Sequence, residues 1–283
     1  MKPAARRGAW LFAPGATWLA VFTIAPLLLV LAISVAGRGS PVEWTFDGSA
    51  WSRLFDARWA GPARRSLIAA VAATAACLLV GGPLALFIAR RPERSRRILY
   101  FLVLLPLWAN SLALTYAWMI LLRTNGLLDQ AAHGLGALDA SETLGLLYTP
   151  GAVFTGMVYV LLPFMVYSAY ASIEKFDWRL IEAAQDLGAT RTQAMFRVFL
   201  PAVRPGLAGG CMLVFVSSLG AFVVPELLGG SKSSFVGNAI RDQFHDAPLD
   251  YPLGAAMAVT VLAFVALAMW FQQRLAAPAE SRS

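Results

Sequence analysis

With 283 residues, 58% of them hydrophobic and 14% charged, and a mean hydropathy of +0.63, the chain is too apolar for an ordinary water-soluble domain. Its formal net charge of +7 does not point to a nucleic acid, because the basic residues flank apolar runs and form no separate basic domain. The two cysteines, Cys77 and Cys211, lie inside apolar runs without His or acidic neighbours at metal-ligand spacing, and read as small buried apolar residues.

Six runs are long and apolar enough to cross a bilayer, since about 20 residues at helical rise span the hydrocarbon. They cover about 10–36, 66–89, 98–122, 152–172, 206–228 and 251–273. Backbone groups in lipid must pair within their own segment, so these runs are expected to be helices. The alternation of a membrane β-barrel is absent. The expected fold class is therefore an all-α polytopic membrane protein with six transmembrane helices. Lys2, Arg6 and Arg7 before the first run, and Ser34-Val35-Ala36 at its end, resemble a signal peptide. The length of the run and Pro26 in its middle argue for a retained helix.

Loop charge sets the orientation. With the N-terminus inside, fifteen of the 23 basic residues fall on the inner side, clustered at 2–7, 90–97, 175–204 and 274–282. The outer loops hold Arg38, Arg53, Arg58, Arg64, Arg65, Arg123, Lys232 and Arg241 together with nine of the sixteen acids. Positive residues gather on the cytoplasmic side of membrane proteins, which places both termini in the cytoplasm.

The chain carries no energy source of its own. Gly229-Gly230-Ser231-Lys232 lacks the spacing of a phosphate-binding loop and falls in an outer loop. Ion-coupled carriers keep several ionisable groups within the membrane, and here Glu226, near the outer end of the fifth run, stands as one clear case. Inverted halves with matching broken helices are not visible. A pore-forming subunit driven by a partner follows, with no catalytic residue, metal or cofactor expected.

The inner loop 175–205 is built to fold. Asp177 is suited to cap a helix over 178–187 that stops at Gly188. Thr190-Arg191-Thr192-Gln193 fits a capping box opening a second helix. Pro201 should end that helix, with Leu200 pushed to an extended conformation. In the first helix Leu180, Ala183, Ala184 and Leu187 share one face, with Glu182 on the flank able to accept charged hydrogen bonds. A helix pair resting on lipid headgroups is the alternative, given Trp178, Phe196, Arg191 and Arg197.

Glu182-Ala183-Ala184, three residues, Gly188, nine residues, Val198, one residue and Leu200-Pro201 together resemble the signature loop of permease subunits in binding-protein-dependent ABC importers. The resemblance runs from about Trp10 to Gln273, and its nearest form is the first permease subunit of spermidine/putrescine importers. Supporting runs are Leu104-Leu105-Pro106-Leu107-Trp108, Thr115-Tyr116-Ala117-Trp118, Tyr148-Thr149-Pro150 and Leu161-Leu162-Pro163-Phe164-Met165. Tyr170-Ala171-Ser172-Ile173-Glu174-Lys175, Pro225-Glu226-Leu227-Leu228-Gly229-Gly230 and Gly237-Asn238 complete the set.

The resemblance implies a type I ABC-importer permease fold in the bacterial inner membrane. A cytoplasmic N-terminus (1–9), a first transmembrane helix (10–36) and a periplasmic loop (37–61) would precede a five-helix permease domain (62–273) and a cytoplasmic tail (274–283). Glu182, Ala183, Ala184, Gly188, Leu200 and Pro201 would couple to a cytoplasmic ATPase. The implied partners are a second permease subunit, an ATP-binding subunit dimer, a periplasmic substrate-binding protein and membrane lipid, with no nucleic acid. ATP hydrolysis would occur in the partner.

Residues that lipid disfavours mark a substrate path or gate: Trp108, Asn110, Ser111, Thr115 and Tyr116 in the third run, Tyr159 and Tyr167 in the fourth, and Ser217, Ser218 and Glu226 in the fifth. Hydrogen bonds between or within helices are the alternative for the Ser, Thr and Asn residues, and Trp118, Tyr148 and Tyr251 suit interfacial anchors. A polyamine-like amine is the first expectation for the cargo. Where the polyamine branch often has Gly-Asp-Phe, this chain has Gly220-Ala221-Phe222, which removes a carboxylate and keeps opines or aminophosphonates open. An ion-coupled secondary carrier and a membrane scaffold are the alternatives from other classes.

Overall fold

The structure, a computed structural model, describes residues 3–39, 43–137, 139, 142–230, 234–246 and 248–276. Lys2, Ser231, Lys232, Arg282 and the tail beyond residue 276 lie outside the described residues.

The chain opens with helix α1 (Pro3–Ser34), most of whose apolar side chains from Trp18 to Leu31 stand exposed, as a lipid-facing helix requires. A short antiparallel pair follows, β1 (Ala36–Gly37) with β2 (Glu43–Phe46), and then α2 (Ser49–Arg53). The Asp47 carboxylate accepts from both the backbone and the hydroxyl of Ser49, which holds it below the usual carboxylate range and anchors the turn into α2. Next come α3 (Ala57–Ala89), α4 (Glu93–Trp108), α5 (Ser111–Leu122), α6 (Leu127–Gly134) and α7 (Pro150–Ile173). The loop helices α8 (Arg179–Asp186) and α9 (Arg191–Ala194) lead through a π-helical turn, Met195–Phe199, into α10 (Leu200–Leu219). The chain ends in α11 (Val223–Gly229), α12 (Val236–His245) and α13 (Tyr251–Ala276).

Two compact units share these elements: Met1–Ala60 with Ala239–Phe264, and Gly61–Asn238 with Val265–Ser283. In the first, Asp250 caps α13 by accepting from the backbone of Leu253 and pairs with Arg38 at 3.3 Å and with Arg53. Ala239, Leu253 and Met257 form its apolar cluster, with Leu54, Trp59 and Ile240 packed on it.

In the second unit α7 is the central helix. Pro150 sits in its first turn, where a missing N–H costs nothing, and Thr149 caps it by accepting from Ala152. α10 lies close against α7 because Gly206 and Gly210, four residues apart, present no side chains. A Cβ on Gly206 would fall 2.2 Å from the Cβ of Ser172. The approach lets the Ser168 hydroxyl donate to the Gly206 carbonyl at 2.8 Å.

Among the described residues five helices are long and apolar enough to cross a membrane, and the count reaches six if the bent pair that begins with α4 is one span. That pair corrects the expectation of one straight helix over 98–122. Residues Ala109 and Asn110 interrupt it, and the segments Glu93–Trp108 and Ser111–Gly134 diverge by 95°. Asn110 leaves helical geometry at ψ 126° and its side chain accepts from Leu112, so the polar residue opens a new helix instead of continuing the old one.

The fifth span is also corrected. The 206–228 run was expected as one helix, but α10 stops at Leu219, and residues 220–222 separate it from α11. At its other end Pro201 does not stop the loop helix. Leu200 is helical, at φ −60° and ψ −43°, and a single helical segment runs Arg191–Leu219 over 29 residues. The π-turn at 195–199 widens the backbone just ahead of Pro201, where a tight helix would set the proline ring against the preceding turn.

Candidate coupling loop and translocation path

The loop after α7 is held in shape by its own termini. Asp177 accepts from the backbone of Arg179 at 3.0 Å, the capping role expected of it, although the helix proper begins at Arg179. At the far end Gly188 takes φ +89°, its N–H bonds the carbonyl of Gln185, and that of Ala189 bonds Ala184. This paired closure needs a left-handed residue, which glycine supplies without strain. Thr190 and Gln193 then cap each other reciprocally, at 3.3 Å and 3.0 Å, and open α9 as the sequence pattern predicts.

α8 has two faces, and the structure divides them differently from expectation. Ile181 is buried, and Ala184 packs with it into a cluster formed by Ala85 and Ile88 of α3, Val166, Ala169, Tyr170 and Ile173 of α7 and Val203 of α10. The outward face carries Leu180, half exposed, Leu187, 90% exposed, and Glu182 and Ala183, also exposed. Ala184 therefore belongs to the inner face, one hundred degrees round the helix from Ala183. Leu200 and Pro201 lie in the first turn of α10 with exposed side chains. An opening of about 640 Å³ adjoins the loop, bordered by Tyr167, Ser172, Lys175, Asp177, Leu180 and Gly206.

At the other end of α10 the two interrupted spans meet. A cavity of about 170 Å³ is lined by Ser111, at the start of α5, and by Ser217, Gly220, Ala221 and Phe222 at the break between α10 and α11. Met157, Val160 and Leu161 of α7 and Val223 and Val224 of α11 complete it. Its walls are apolar apart from two hydroxyls and the backbone of the break, and among the described residues no ionisable side chain lines it.

The break is held from behind by residues 235–238. Asn238, buried, donates to the Phe222 carbonyl at 3.1 Å and accepts from Phe235 at 3.3 Å. A Cβ on Gly237 would sit 2.8 Å from the Gly220 carbonyl and 2.9 Å from that of Ala221, so this position requires glycine. The buried hydroxyl of Ser66 on α3 accepts from Val236 at 2.8 Å. Two further runs that were separate in the sequence also meet here. Tyr148, in a left-handed conformation at φ +63°, donates its N–H to Leu228, and Gly230 lies against its ring. A left-handed tyrosine is strained and persists only where its surroundings over-determine it.

Among the candidate path residues of the third to fifth runs, Ser111 and Ser217 share the cavity. Ser218 faces into packed protein, its hydroxyl without a hydrogen-bond partner. Asn110 is engaged as a helix cap, and Thr115 bonds the carbonyl of Ser111 on its own helix. Tyr159 packs edge-on against Trp118, 5.4 Å between centroids. Trp108, Tyr116 and Tyr167 are exposed outside the cavity lining, and Glu226 is exposed on α11. Sequence reasoning passed over Ser66, Ser168 and Gly206. The Gly206-x-x-x-Gly210 spacing is the signal that marks the close α7–α10 approach.

Residues 81–278 match the family described as "Binding-protein-dependent transport system inner membrane component". The chain is 40% identical over 263 residues to the spermidine/putrescine transport system permease protein PotB of Escherichia coli (strain K12), covering 91% of this chain and 94% of that protein. It is 34% identical over 223 residues to the inner membrane ABC transporter permease protein YdcU of the same organism, covering 75% of this chain and 71% of that protein. Its fold resembles that of a chain in a bacterial ABC transporter involved in the import of the acidic polysaccharide alginate. That likeness has a TM-score of 0.68 at 19% identity and covers 96% of this chain and 98% of that one. The chain thus belongs to the family of inner-membrane components of binding-protein-dependent transport systems, and is a multi-pass permease subunit of an ABC importer.

Proposed function

We propose that this permease carries a polyamine-like amine, and that it draws its energy from a cytoplasmic ATPase seated on the outward face of α8. The cargo assignment is supported by the relatives of 40% identity, which are named for spermidine and putrescine transport. The docking assignment is carried by the two-faced α8. Its Ile181 and Ala184 sit in a core shared by three long helices, while Leu180, Ala183, Leu187 and Glu182 are exposed on a structured loop. A large apolar side chain 90% exposed, next to a carboxylate, suits a protein surface better than water.

In this arrangement residues 175–205 face the cytoplasm, as do both termini. Glu182 accepts hydrogen bonds from the ATPase, Ala183 allows close approach, and Gly188 fixes the angle between α8 and α9. Leu200 and Pro201 extend the surface into α10. A second permease subunit completes the pore, a periplasmic binding protein delivers the cargo, and two ATPase copies close on ATP. The path runs past the cavity between the two broken spans, with Ser111 and Ser217 as its hydrogen-bonding groups. Trp108, Asn110, Tyr116, Tyr159, Ser218 and Glu226 stand as residues of the path, its walls or its gate.

One observation favours a second reading of the cargo. The cavity at Ala221 has hydroxyl and carbonyl groups but no carboxylate, which suits an amine-bearing solute of lower charge, an opine or an aminophosphonate among them. The complete importer in proteoliposomes tests both. Uptake of radiolabelled spermidine or putrescine, driven by internal ATP, is expected to be displaced by unlabelled polyamine in excess. Absence of spermidine and putrescine uptake, together with ATP-driven uptake of a radiolabelled opine or aminophosphonate, transfers the assignment to the second reading.

A further inference from the structure

A short surface helix passes a push to the membrane only through what fixes it there. Trp178, the residue before α8, is the meeting point of groups from three spans. The Arg90 guanidinium, one residue beyond α3, lies 4.6 Å from the centre of the Trp178 ring. The other neighbour is Phe199, last residue of the π-turn that opens α10. It stacks on Trp178 with centroids 5.4 Å apart and planes inclined by 21°. Phe176, three residues past the end of α7, is set edge-on to both at 5.2 Å. Phe176 and Phe199 are buried, whereas Arg90 is exposed.

Among the described residues no carboxylate pairs with Arg90, and its guanidinium lies over the indole ring of Trp178. An exposed cation over a ring adds little to stability, so the fold does not depend on the contact. The residue type matters to the contact: a planar, pre-organised guanidinium stacks on aromatic faces where an ammonium on a flexible stem is a point charge. The π-turn that ends at Phe199 is the irregular point in the helical segment from Arg191 to Leu219, and such turns recur at functional sites.

We propose that Arg90, Trp178 and Phe199 form a strut that passes displacement of α8 jointly to α3 and α10, with Arg90 as a positioning residue for ATP-coupled transport. The inference rests on α8 being the ATPase-docking helix. It adds the inner end of α3 as a second receiver of the push, outside the signature loop.

The test measures solute uptake and ATP hydrolysis in the same proteoliposomes containing the complete complex. Arg90→Ala is expected to assemble with its partners and to keep basal hydrolysis, while uptake per ATP falls about fivefold to tenfold, the range of a modest coupling energy. Arg90→Lys should lie between, and Trp178→Phe, which keeps a stacking ring, should approach the unmodified protein. A ratio within about twofold of the unmodified protein in both Arg90→Ala and Trp178→Ala overturns the strut. Loss of assembly in Arg90→Ala also overturns it, by making the stack a docking support. Glu182→Arg separates the two claims. If it abolishes stimulated hydrolysis while Arg90→Ala leaves the ratio intact, the docking assignment stands and the strut alone falls.

Discussion

The side-chain amide of Asn238 donates to the carbonyl of Phe222 at 3.1 Å, so one residue at the head of α12 holds open the break in the fifth span. The same amide accepts from Phe235, and both groups are shielded from water. Asn238→Leu strands a buried N–H and a carbonyl, at a cost of about 2 kcal/mol. The purified complex is expected to unfold several degrees lower, and uptake to show a raised KM as the cavity at 220–222 loses its shape. Asn238→Asp keeps the acceptor but faces the Phe222 carbonyl with a carboxylate oxygen, and should lower thermal stability at least as much. Differential scanning fluorimetry of the detergent-solubilised complex checks both.

Gly206 tests the α7–α10 seam. Any side chain there meets Ser172 within 2.2 Å and the Ser168 carbonyl at 3.0 Å, so Gly206→Val must part the two helices. Overpacking of this kind costs about 1–3 kcal/mol or more, and the expected result is a sharp drop in membrane accumulation on immunoblots. Gly134→Ala is the control: nothing lies within 4 Å of the added carbon, and accumulation should be unchanged.

Gly188 separates docking geometry from folding. At φ +89° any side chain is strained, by about 1–2 kcal/mol, yet no atom lies within 4 Å to clash with a new Cβ. Gly188→Val is thus expected to reach the membrane, to tilt α8 against α9, and to lose most substrate-stimulated ATP hydrolysis. Normal stimulation would mean that the turn does not set the docking angle.

Ala221 bears on the cargo. It lines the cavity between the broken spans, where none of the described lining residues carries a charge to offset a cationic amine. Ala221→Asp should lower the apparent KM for a diamine or triamine by about tenfold, equivalent to about 1.4 kcal/mol, and weaken uptake of any anionic solute. The measurement is concentration-dependent uptake in proteoliposomes with the binding protein held in excess.

Much of this arrangement is legible in the residues. The caps at Asp177 and Thr190 and the stop at Gly188 are local chemistry, settled within four residues of chain, and the structure reproduces them. The run lengths marked the spans because the hydrocarbon demands length. The breaks at 109–110 and 220–222 were not legible, since the flanking residues stay apolar and hydropathy is blind to direction. Asn110 reads in the sequence as a polar path candidate, and its part as a helix cap shows only once the break beside it is seen. Pro201 misled for the opposite reason: as a local breaker it should end the helix, but a π-turn ending two residues before it absorbs it. The convergence of Ser111 with Ser217, and of Arg90 with Trp178, depends on tertiary packing across large sequence separations, which no local pattern encodes.

The most direct test of the whole account is ATP hydrolysis by the reconstituted complex with Glu182→Arg in this chain. The substitution reverses the charge at the centre of the outward face of α8 and leaves the buried face, Ile181 and Ala184, untouched. The account predicts a complex that reaches the membrane and retains its spans, yet whose ATP hydrolysis no longer responds to the loaded binding protein. Hydrolysis stimulated to the same degree as in the unmodified complex would contradict it.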